Sequence, residues 1–560
     1  MPSGRRFNPH VMMNRITAVC SAPPVRALLF TLLPLAYYLA GVLNYSQAGK
    51  IALLGLLMLT PVLYWRQLSP DSRSARIVLL FVLLQLFVSM VFQAALRQIF
   101  GVQQDDVLVV QALLNTTVEE SRGFVFQYFR QLALHLGAAV LAFAGYWRLC
   151  LRGFPETSPL PGTRRRHWLY AAAGLSTAIL VAAHASSSLR KANPIFYLSY
   201  HYQKAAREMA MARELRKDLA GGQKAKLLGK MRLDGALQRR TVVLVIGESD
   251  TRHNWSLYGY GRKTNPELET MRDRLLVFRD VVAADASTVG SITRMLTAAT
   301  IEQPDLWKNS PTVMATARHL GYKVFWLANQ GAPDRGMVPV LASQSDVTVF
   351  TNRGMDRGES SFDEVLLEPY MQALDDPAPR KLIIVHLLGA HPAYNFRYPE
   401  NYALFEQELA DPVAEGLKAQ GRAPWAILFR NAYDCAILYG DHVLARLLQG
   451  LMAKEPASSA WLYVADHGQD VAHHDNFSGH NRDVREQWEV PLLLWRSPDA
   501  DTAPVAGLVD RPYQNDDLDH TLLGLLGIRG EFYDPELDLL SAEFNSRRIL
   551  PRKMSGRLYD

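Results

Sequence analysis

The sequence has few cysteines and few charged residues. Only three of its 560 residues are Cys and 20% are charged, against about 25% charged residues in an average soluble domain. Hydrophobic residues make up 49%, which excludes an intrinsically disordered chain, and three cysteines exclude a disulfide scaffold. Repeats and low-complexity tracts are absent. The net charge of +6 is small for this length, and we expect no nucleic-acid partner.

Uncharged segments are concentrated in the first 190 residues. A helix that crosses a bilayer needs about 20 predominantly apolar residues. Four uncharged runs reach a usable length, whereas Ile51–Trp65 is short enough to be a re-entrant or core helix instead. We therefore predict a transmembrane domain over residues 1–189. Its five predicted spans are approximately residues 27–47, 51–66, 77–96, 131–148 and 167–187.

The basic residues predict how this domain is oriented. With five spans and a cytoplasmic N-terminus, the cytoplasmic segments hold 12 Arg and Lys residues and the two outer loops hold four. Positively charged short loops tend to stay in the cytoplasm, so the asymmetry favours this orientation. An odd number of spans then places the chain after residue 189 outside the cytoplasm, whereas four spans would leave it inside.

The remaining chain divides into a connector and an α/β domain. Residues 190–240 are rich in helix formers and mixed charges, which predicts a helical connector. From residue 241, short apolar runs alternate with helical patterns, and this predicts a mostly parallel sheet covered on both faces over residues 241–560. Ligands of such sheets bind beyond the carboxyl ends of the strands. The predicted strands are Thr241–Ile246, Tyr322–Leu327, Leu382–Leu388, Trp461–Ala465 and Val490–Trp495.

Three side chains that can bind metal follow these strands. Glu248, Asp466 and His467 each lie one or two positions after a predicted strand. Two carboxylates and an imidazole suit Zn²⁺, which accepts oxygen and nitrogen ligands. Taken singly, each has an ordinary alternative, because a Glu at a strand end is often a cap or salt-bridge partner and Asp-His is a common turn dipeptide. Their shared position at strand ends favours a metal site.

In the segment Ala286–Leu296, small residues with hydroxyl side chains precede a helical run. Ser287 or Thr288 would lie at a helix N-terminus, where backbone N–H groups and the helix dipole stabilise an anion. A hydroxyl there beside a metal ion can serve as a nucleophile. The alternative is a plain helix cap, which is the commoner role of Ser and Thr at this position. The sequence pattern alone favours the cap.

Histidines form a third feature of the C-terminal half. The span of residues 386–480 includes His386, His391, His467, His473, His474 and His480. Histidine is the commonest metal ligand, but a single histidine is more often structural. The run His473-His474-Asp475 suits either metal binding or a solvated loop.

Taken together, these segments resemble the membrane-bound phosphoethanolamine transferases of the alkaline-phosphatase/sulfatase superfamily. The resemblance is carried by VVLVIGES, by WSLYGYGR with the following TNPEL, by the Thr288 segment, by HLLGAHPAY and by ADHG. It implies five transmembrane helices, a bridging helical region and a periplasmic alkaline-phosphatase/sulfatase-like α/β domain. It also implies a multi-pass protein of the Gram-negative inner membrane with a cytoplasmic N-terminus.

The resemblance assigns site residues by position. It implies a zinc site made by Glu248, Thr288, Asp466 and His467. Thr288 would be the nucleophile, with one tightly bound Zn²⁺ and room for a second. His391 and His480 match catalytic histidines that contact the substrate or the second zinc.

Further residues match the family's contacts with its donor. Thr116 and Glu120, between the third and fourth predicted spans, resemble a pair that contacts the donor head group, although Ala112 replaces an asparagine of related lipid A enzymes. Asn329 and Gln330 lie where some members touch phosphoethanolamine.

Two departures from the lipid A enzymes bear on the acceptor. Cys435 is the only cysteine after residue 189, and Gln469 follows Asp-His-Gly where many members have glutamate. Both favour the disulfide-poor branch that modifies core heptose or other glycans.

The reaction implied is transfer of phosphoethanolamine from phosphatidylethanolamine to lipopolysaccharide core, lipid A or another periplasmic glycan through a covalent phosphothreonine. The alternatives are a membrane-tethered sulfatase or phosphodiesterase, a glycerol-phosphate transferase, and an inactive membrane scaffold. The Cys/Ser-x-Pro-x-Arg pattern of sulfatases is absent from residues 285–296.

Overall fold

A computed structural model describes the chain in separate stretches and in isolated positions between residues 25 and 210. The stretches are residues 45–69, 72–100, 162–186, 225–234, 239–331, 337–352, 362–392, 394–454, 458–498, 507–549, 552–553 and 556–557. Two compact units result, one within residues 1–203 and one that contains Lys204–Asp560. Thr116 and Glu120, the predicted contacts of the donor head group, lie outside the described residues.

Three helices are described in the first unit. They are α1 (Tyr45–Leu68), α2 (Arg73–Phe100) and α3 (Thr163–Ala183). Leu59 and Leu63 of α1 pack with Leu79 and Leu83 of α2 in a buried apolar cluster. Among the helices that the structure describes, none combines enough length with enough apolar character to cross a bilayer. The five-span count and the orientation stay predictions.

A seven-stranded sheet forms the centre of the second unit. Its strands are β1 (Arg240–Gly247), β2 (Leu276–Phe278), β3 (Lys323–Gly331), β4 (Val347–Asn352), β5 (Arg380–His386), β6 (Ser459–Ala465) and β7 (Leu492–Arg496). They lie in the order β2-β7-β6-β1-β5-β3-β4. Neighbours are parallel except for β7, which runs antiparallel to both β6 and β2.

All five predicted strands are present and the sheet is mostly parallel, as predicted, with β7 as the antiparallel exception. An apolar run predicts burial without fixing strand direction. Residues 466–491, which connect β6 to β7, contain no α-helix, and an antiparallel connection needs no helical crossover. The sheet is therefore mixed. The short strands β2 and β4 were not predicted.

Both faces of the sheet are covered, as continuous apolar strands require. In β1, Val242, Leu244 and Ile246 face one buried cluster, while Val243 and Val245 face the other. The described helices of this unit are α4 (Ala225–Leu228), α5 (Pro266–Glu269), α6 (Thr288–Met295), α7 (Val313–His319), α8 (Met337–Ala342), α9 (Leu367–Asp375), α10 (Pro412–Ala419), α11 (Pro424–Lys454) and α12 (Leu518–Leu525). Helices α6, α7, α8 and α12 contribute to the first cluster, and α5, α9 and α11 to the second.

Short strand pairs complete the second unit. Met231–Leu233 pairs antiparallel with Ile528–Gly530, and Met231 belongs to the first buried cluster. The end of the predicted connector is therefore built into the α/β domain. The other pairs are Val281–Val282 with Tyr513–Gln514, Asp470–Val471 with Ser478–Gly479, and Arg552–Lys553 with Gly556–Arg557.

Candidate functional site

The predicted metal ligands meet at one edge of the sheet. Glu248 directly follows β1, and Asp466 and His467 directly follow β6. Because β1 and β6 are adjacent and parallel, their carboxyl ends lie side by side. One ligand atom from each of the three residues lies within 4.8 Å of the others, and all three side chains are buried. The sequence thus places three distant residues in one cluster.

Thr288 completes this cluster from the start of α6. Its Oγ1 donates a hydrogen bond to Glu248 Oε2 at 3.0 Å and lies 3.4 Å from His467 Nε2. Ser287, which precedes the helix, does not cap it with its side chain, because its Oγ donates to Asp285 Oδ1 at 2.8 Å. Thr288 as a whole is half-buried, and its hydroxyl is in hydrogen-bonding contact with the cluster.

Ser249 holds the two carboxylates in place. Its φ angle is 56°, a left-handed conformation that costs a non-glycine residue about 1–3 kcal/mol. In this conformation its backbone N–H donates to Asp466 Oδ1 at 3.1 Å, and its Oγ donates to Glu248 Oε1 at 2.8 Å. The hydroxyl of Tyr433, from α11, donates to the Ser249 carbonyl at 2.8 Å. This local strain therefore orients both candidate ligands.

The donor set fits a zinc ion. Asp466 Oδ2 is buried and accepts no hydrogen bond among the described residues. His467 Nδ1 lies 3.0 Å from the Gly468 carbonyl, which requires the proton on Nδ1 and leaves Nε2 facing the carboxylates. A backbone carbonyl that fixes the imidazole in this way is the usual support of a histidine ligand. Two carboxylates, one imidazole nitrogen and the Thr288 hydroxyl match the oxygen and nitrogen ligands of Zn²⁺.

The electrostatics of the cluster also suit a cation. Burial and the neighbouring Glu248 carboxylate raise the pKa of Asp466 well above its ordinary value. Burial disfavours the charged form of His467, but the Asp466 and Glu248 carboxylates outweigh this and raise the pKa of its imidazole. Without a metal, the site therefore retains protons to offset its buried negative charge. A divalent cation would take over that role.

The predicted histidines His480 and His391 lie in two different loops of the α/β domain. The His480 ring packs edge-on against that of His467, with ring centroids 4.8 Å apart. His391, in the loop after β5, is half-buried, and its Nδ1 lies 3.3 Å from the Pro392 carbonyl. His480 thus contacts a candidate zinc ligand directly, and His391 lies in the loop that follows the neighbouring strand.

Asn329 and Gln330, at the end of β3, face different partners. Gln330 Nε2 lies 3.5 Å from Glu248 Oε2 and donates to the Leu387 carbonyl at 2.7 Å. The buried Asn329 amide donates to Asp363 Oδ1 at 3.0 Å. Gln330 therefore borders the cluster, whereas Asn329 supports the loop around it. Substrate contact by either residue stays a prediction.

The His473-His474-Asp475 run lies apart from the metal cluster. His473 Nε2 is 2.9 Å from Asn254 Oδ1 and its Nδ1 is 3.2 Å from Asp470 Oδ1, while His474 pairs with Glu486. Burial lowers the pKa of His473 to about 4. Among the described residues, this run belongs to no other group that could hold a metal.

The sequence patterns missed two residues that shape the site. Gly389 has a φ angle of 54°, and a Cβ there would lie 2.9 Å from the Glu248 carbonyl oxygen. Asp363 accepts the backbone N–H groups of Leu388 and Gly389, both at 2.8 Å. Gly389 could have been noticed as a glycine after a predicted strand. The residues around Asp363 give no indication of its role, because Asp363 lies 25 residues before the loop that it holds.

Comparison with known families decides which family the chain belongs to. The family model described as Sulfatase matches residues 240–528, which include β1 to β7, α12 and the whole metal cluster. The chain belongs to the sulfatase family. Within that family, it is 33% identical over 371 residues to the phosphoethanolamine transferase EptC of Escherichia coli (strain K12). The match takes in 64% of this chain and 62% of the E. coli protein.

Two solved structures are similar to this sulfatase-family chain. The C-terminal periplasmic domain of E. coli EptC, in complex with Zn, is 34% identical, with a TM-score of 0.54 over 58% of this chain and 94% of that domain. The integral membrane protein lipooligosaccharide phosphoethanolamine transferase A (EptA) from Neisseria meningitidis has a TM-score of 0.63 over 93% of this chain and 98% of its own, at 19% identity. The latter shows likeness of fold alone. The relatives confirm the predicted kinship with phosphoethanolamine transferases.

Proposed function

We propose that this chain transfers phosphoethanolamine from phosphatidylethanolamine to a periplasmic glycan, through a covalent intermediate on Thr288. The observation that carries the proposal is the position of Thr288 Oγ1, 3.0 Å from Glu248 Oε2 and 3.4 Å from His467 Nε2. A hydroxyl oriented by a carboxylate at a helix start is placed to attack phosphorus. The 33% identity to EptC supports phosphoethanolamine as the transferred group.

The first step forms one bond and breaks one. Glu248 orients the Thr288 hydroxyl and takes up its proton, while the Thr288 oxygen attacks the phosphorus of phosphatidylethanolamine in line with the diacylglycerol oxygen. The new Oγ–P bond replaces the P–O bond to diacylglycerol, which leaves with a proton. His480, packed against His467, or His391 supplies that proton as a general acid. The product is a phosphoethanolamine ester of Thr288.

The second step returns the enzyme to its starting state. An acceptor hydroxyl or phosphate oxygen attacks the same phosphorus and displaces the Thr288 oxygen, to which Glu248 returns a proton. A histidine takes up the proton of an attacking hydroxyl. We assign the acceptor to the core oligosaccharide or another glycan of lipopolysaccharide, with lipid A as a further candidate. The lone buried Cys435 and Gln469 support this order of preference.

The proposed cofactor is one Zn²⁺, held by Glu248, Thr288, Asp466 and His467. When bound, it would lower the pKa of an adjacent hydroxyl and offset the charge of phosphoryl oxygens. A second Zn²⁺ beside His391 and His480 belongs to the same proposal. The Zn complex of the E. coli EptC domain supports the choice of metal.

The proposed setting is the inner membrane of a Gram-negative cell. In this proposal, residues 1–189 form five spans, residues 190–240 connect them to the α/β domain, and residues 241–560 act in the periplasm. Thr116 and Glu120 would contact the ethanolamine head group of the donor, with Asn329 and Gln330 near the transferred phosphoethanolamine. A lipid donor and a membrane-tethered enzyme share one layer, which favours their encounter.

The test is to identify both the intermediate and the product. We expect purified full-length protein, incubated with phosphatidylethanolamine vesicles, to carry a phosphoethanolamine adduct on the Thr288 peptide by mass spectrometry. Added lipopolysaccharide should become modified as the adduct decays. Free phosphoethanolamine as the sole product would indicate a hydrolase, and preference for phosphatidylglycerol would indicate a glycerol-phosphate transferase.

A further inference from the structure

Arg482 lies beside the candidate site, and among the described residues it makes no ion pair closer than 3.8 Å. It stands two residues after His480, and its Nη2 is 3.8 Å from Asp285 Oδ1, too far for a hydrogen bond. Its Nε is buried and has no hydrogen-bond partner among the described residues, although the side chain as a whole is 38% exposed. An unbonded buried donor on a charged group costs free energy. A ligand with acceptor oxygens would remove that cost.

Asp285 is fully engaged without Arg482. Its Oδ1 accepts the Ser287 hydroxyl at 2.8 Å, and its Oδ2 accepts Arg294 Nη1 at 2.7 Å. Arg294 therefore neutralises this carboxylate at close range. The positive charge of Arg482 is then available to an anion that approaches from solvent.

The loop that carries Arg482 is held by other groups. The Asn481 backbone N–H donates to Gln487 Oε1, and Asn481 Nδ2 donates to Asp470 Oδ2, both at 2.8 Å. Trp488 Nε1 donates to the Arg482 carbonyl at 3.0 Å. These contacts hold the backbone at Arg482 and do not involve its guanidinium group. The loop therefore does not depend on the Arg482 side chain for its position.

The position of Arg482 relates it to the reacting group. Asp285 Oδ1, which lies 3.8 Å from Arg482 Nη2, accepts a hydrogen bond from Ser287, the residue before Thr288. His480, from the same loop, packs on His467. The side chains closest to Thr288 include the carboxylate of Glu248, so an anionic substrate needs cations to approach. A planar guanidinium can donate two parallel hydrogen bonds to a phosphoryl group.

We propose that Arg482 binds an anionic phosphoryl oxygen at Thr288, contributed by the donor phosphodiester or by a phosphorylated acceptor. This inference rests on the proposed function for the identity of the substrate. The claim that Arg482 binds an anion at all rests instead on the geometry of Arg482, Asp285 and the loop of residues 480–488.

Binding of inorganic phosphate tests the inference without turnover. We expect Arg482→Gln to weaken phosphate binding to the full-length, zinc-loaded protein by about 10- to 100-fold in calorimetry, and Arg482→Lys to retain part of it. The matched control is Arg272→Gln, because Arg272 is also partly exposed and contacts Glu269 and the Leu257 carbonyl instead of site residues. It should bind phosphate like the wild type.

Two results would overturn the inference. One is unchanged phosphate binding by Arg482→Gln. The other is an equal loss in the Gln and Lys variants together with a lower melting temperature or zinc content, because that pattern indicates a structural role.

Turnover measurements then separate the two sources of the anion. If Arg482 holds the donor, Arg482→Gln should need about tenfold more phosphatidylethanolamine in vesicles to form the Thr288 adduct. If it holds the acceptor, adduct formation should be normal, and the preformed adduct should react slowly with lipopolysaccharide but normally with glycerol. A wild type that forms no adduct would refute the proposed function, while the phosphate measurement would still decide the role of Arg482.

Discussion

Thr288 Oγ1 and Glu248 Oε2 are 3.0 Å apart although 40 residues separate them in the chain. Glu248 directly follows β1, and Thr288 lies in the first turn of α6. Helix α6 packs on the face of the sheet to which Leu244 and Ile246 of β1 contribute. A hydroxyl that donates to a buried carboxylate has its lone pairs directed elsewhere. This is the arrangement expected of a nucleophile that receives its electrophile from solvent.

Thr288→Ala should lower adduct formation and transfer by at least about 1,000-fold, because it removes the hydroxyl that lies against both Glu248 Oε2 and His467 Nε2. The fold should remain, since a half-buried hydroxyl contributes only about 1 kcal/mol to stability. Peptide mass spectrometry and the melting temperature measure the two effects.

Ser287→Ala is the matched control for Thr288→Ala. The Ser287 hydroxyl donates to Asp285 and not to Glu248, so this variant should keep the adduct on Thr288. An adduct that maps to Ser287 or Ser291 in the wild type would contradict the assignment of the nucleophile.

Gly389→Ala should damage the metal site through Glu248. A Cβ at residue 389 would lie 2.9 Å from the Glu248 carbonyl oxygen and 3.0 Å from its backbone nitrogen, and the φ angle of 54° is unfavourable for alanine. We expect a loss of about 1–3 kcal/mol in the free energy of unfolding, together with reduced zinc content by elemental analysis.

Gly259→Ala separates backbone strain from displacement of Glu248. Gly259 has a φ angle of 94°, and a Cβ added there would meet no atom within 4 Å among the described residues, apart from its own chain neighbours. This variant should therefore lose stability while it keeps its zinc. Equal zinc loss in both variants would show that strain alone explains the effect at Gly389.

The sequence predicted the site better than it predicted the supports of the site. Glu248, Asp466 and His467 were predictable because the end of an apolar run marks the carboxyl end of a buried strand. Parallel strands have their carboxyl ends at one edge of the sheet. The direction of β7 and the role of Asp363 were not predictable, because both depend on contacts between segments far apart in the chain. Arg482 likewise carries no local pattern, since its relation to Asp285 arises only when residues 197 positions apart meet.

Asp441 should make stability depend on pH. Burial raises its pKa to about 7, although it accepts the backbone N–H groups of Glu267 and Leu268. The folded state thus holds a proton that the unfolded state has lost between about pH 4 and pH 7, so the contribution of Asp441 to stability falls as pH rises through this range. Asp441→Asn should flatten the dependence by at most about 1.4 kcal/mol per pH unit.

The free energy of unfolding, measured at pH 5, 6, 7 and 8, tests this prediction for Asp441. The exposed Asp273→Asn variant serves as the control and should follow the wild-type curve. A constant difference in unfolding free energy between Asp441→Asn and the wild type at every pH would refute the prediction.

Asp466→Asn should melt at or above the wild-type temperature without metal, and below it with zinc. Without metal, Glu248 and Asp466 are two buried carboxylates at one site, and the orphaned Asp466 Oδ2 accepts no hydrogen bond among the described residues. Burial and Glu248 already raise the pKa of Asp466, and Asp466→Asn replaces this carboxyl group with a neutral amide, so in chelator the variant should melt at or above the wild-type temperature. With zinc, the wild type should gain about 4 kcal/mol at about 1,000 times the dissociation constant. The variant should gain far less, because it has lost a ligand. Equal zinc content in the two proteins, or a wild-type melting temperature that is the same with zinc and with chelator, would contradict the metal site.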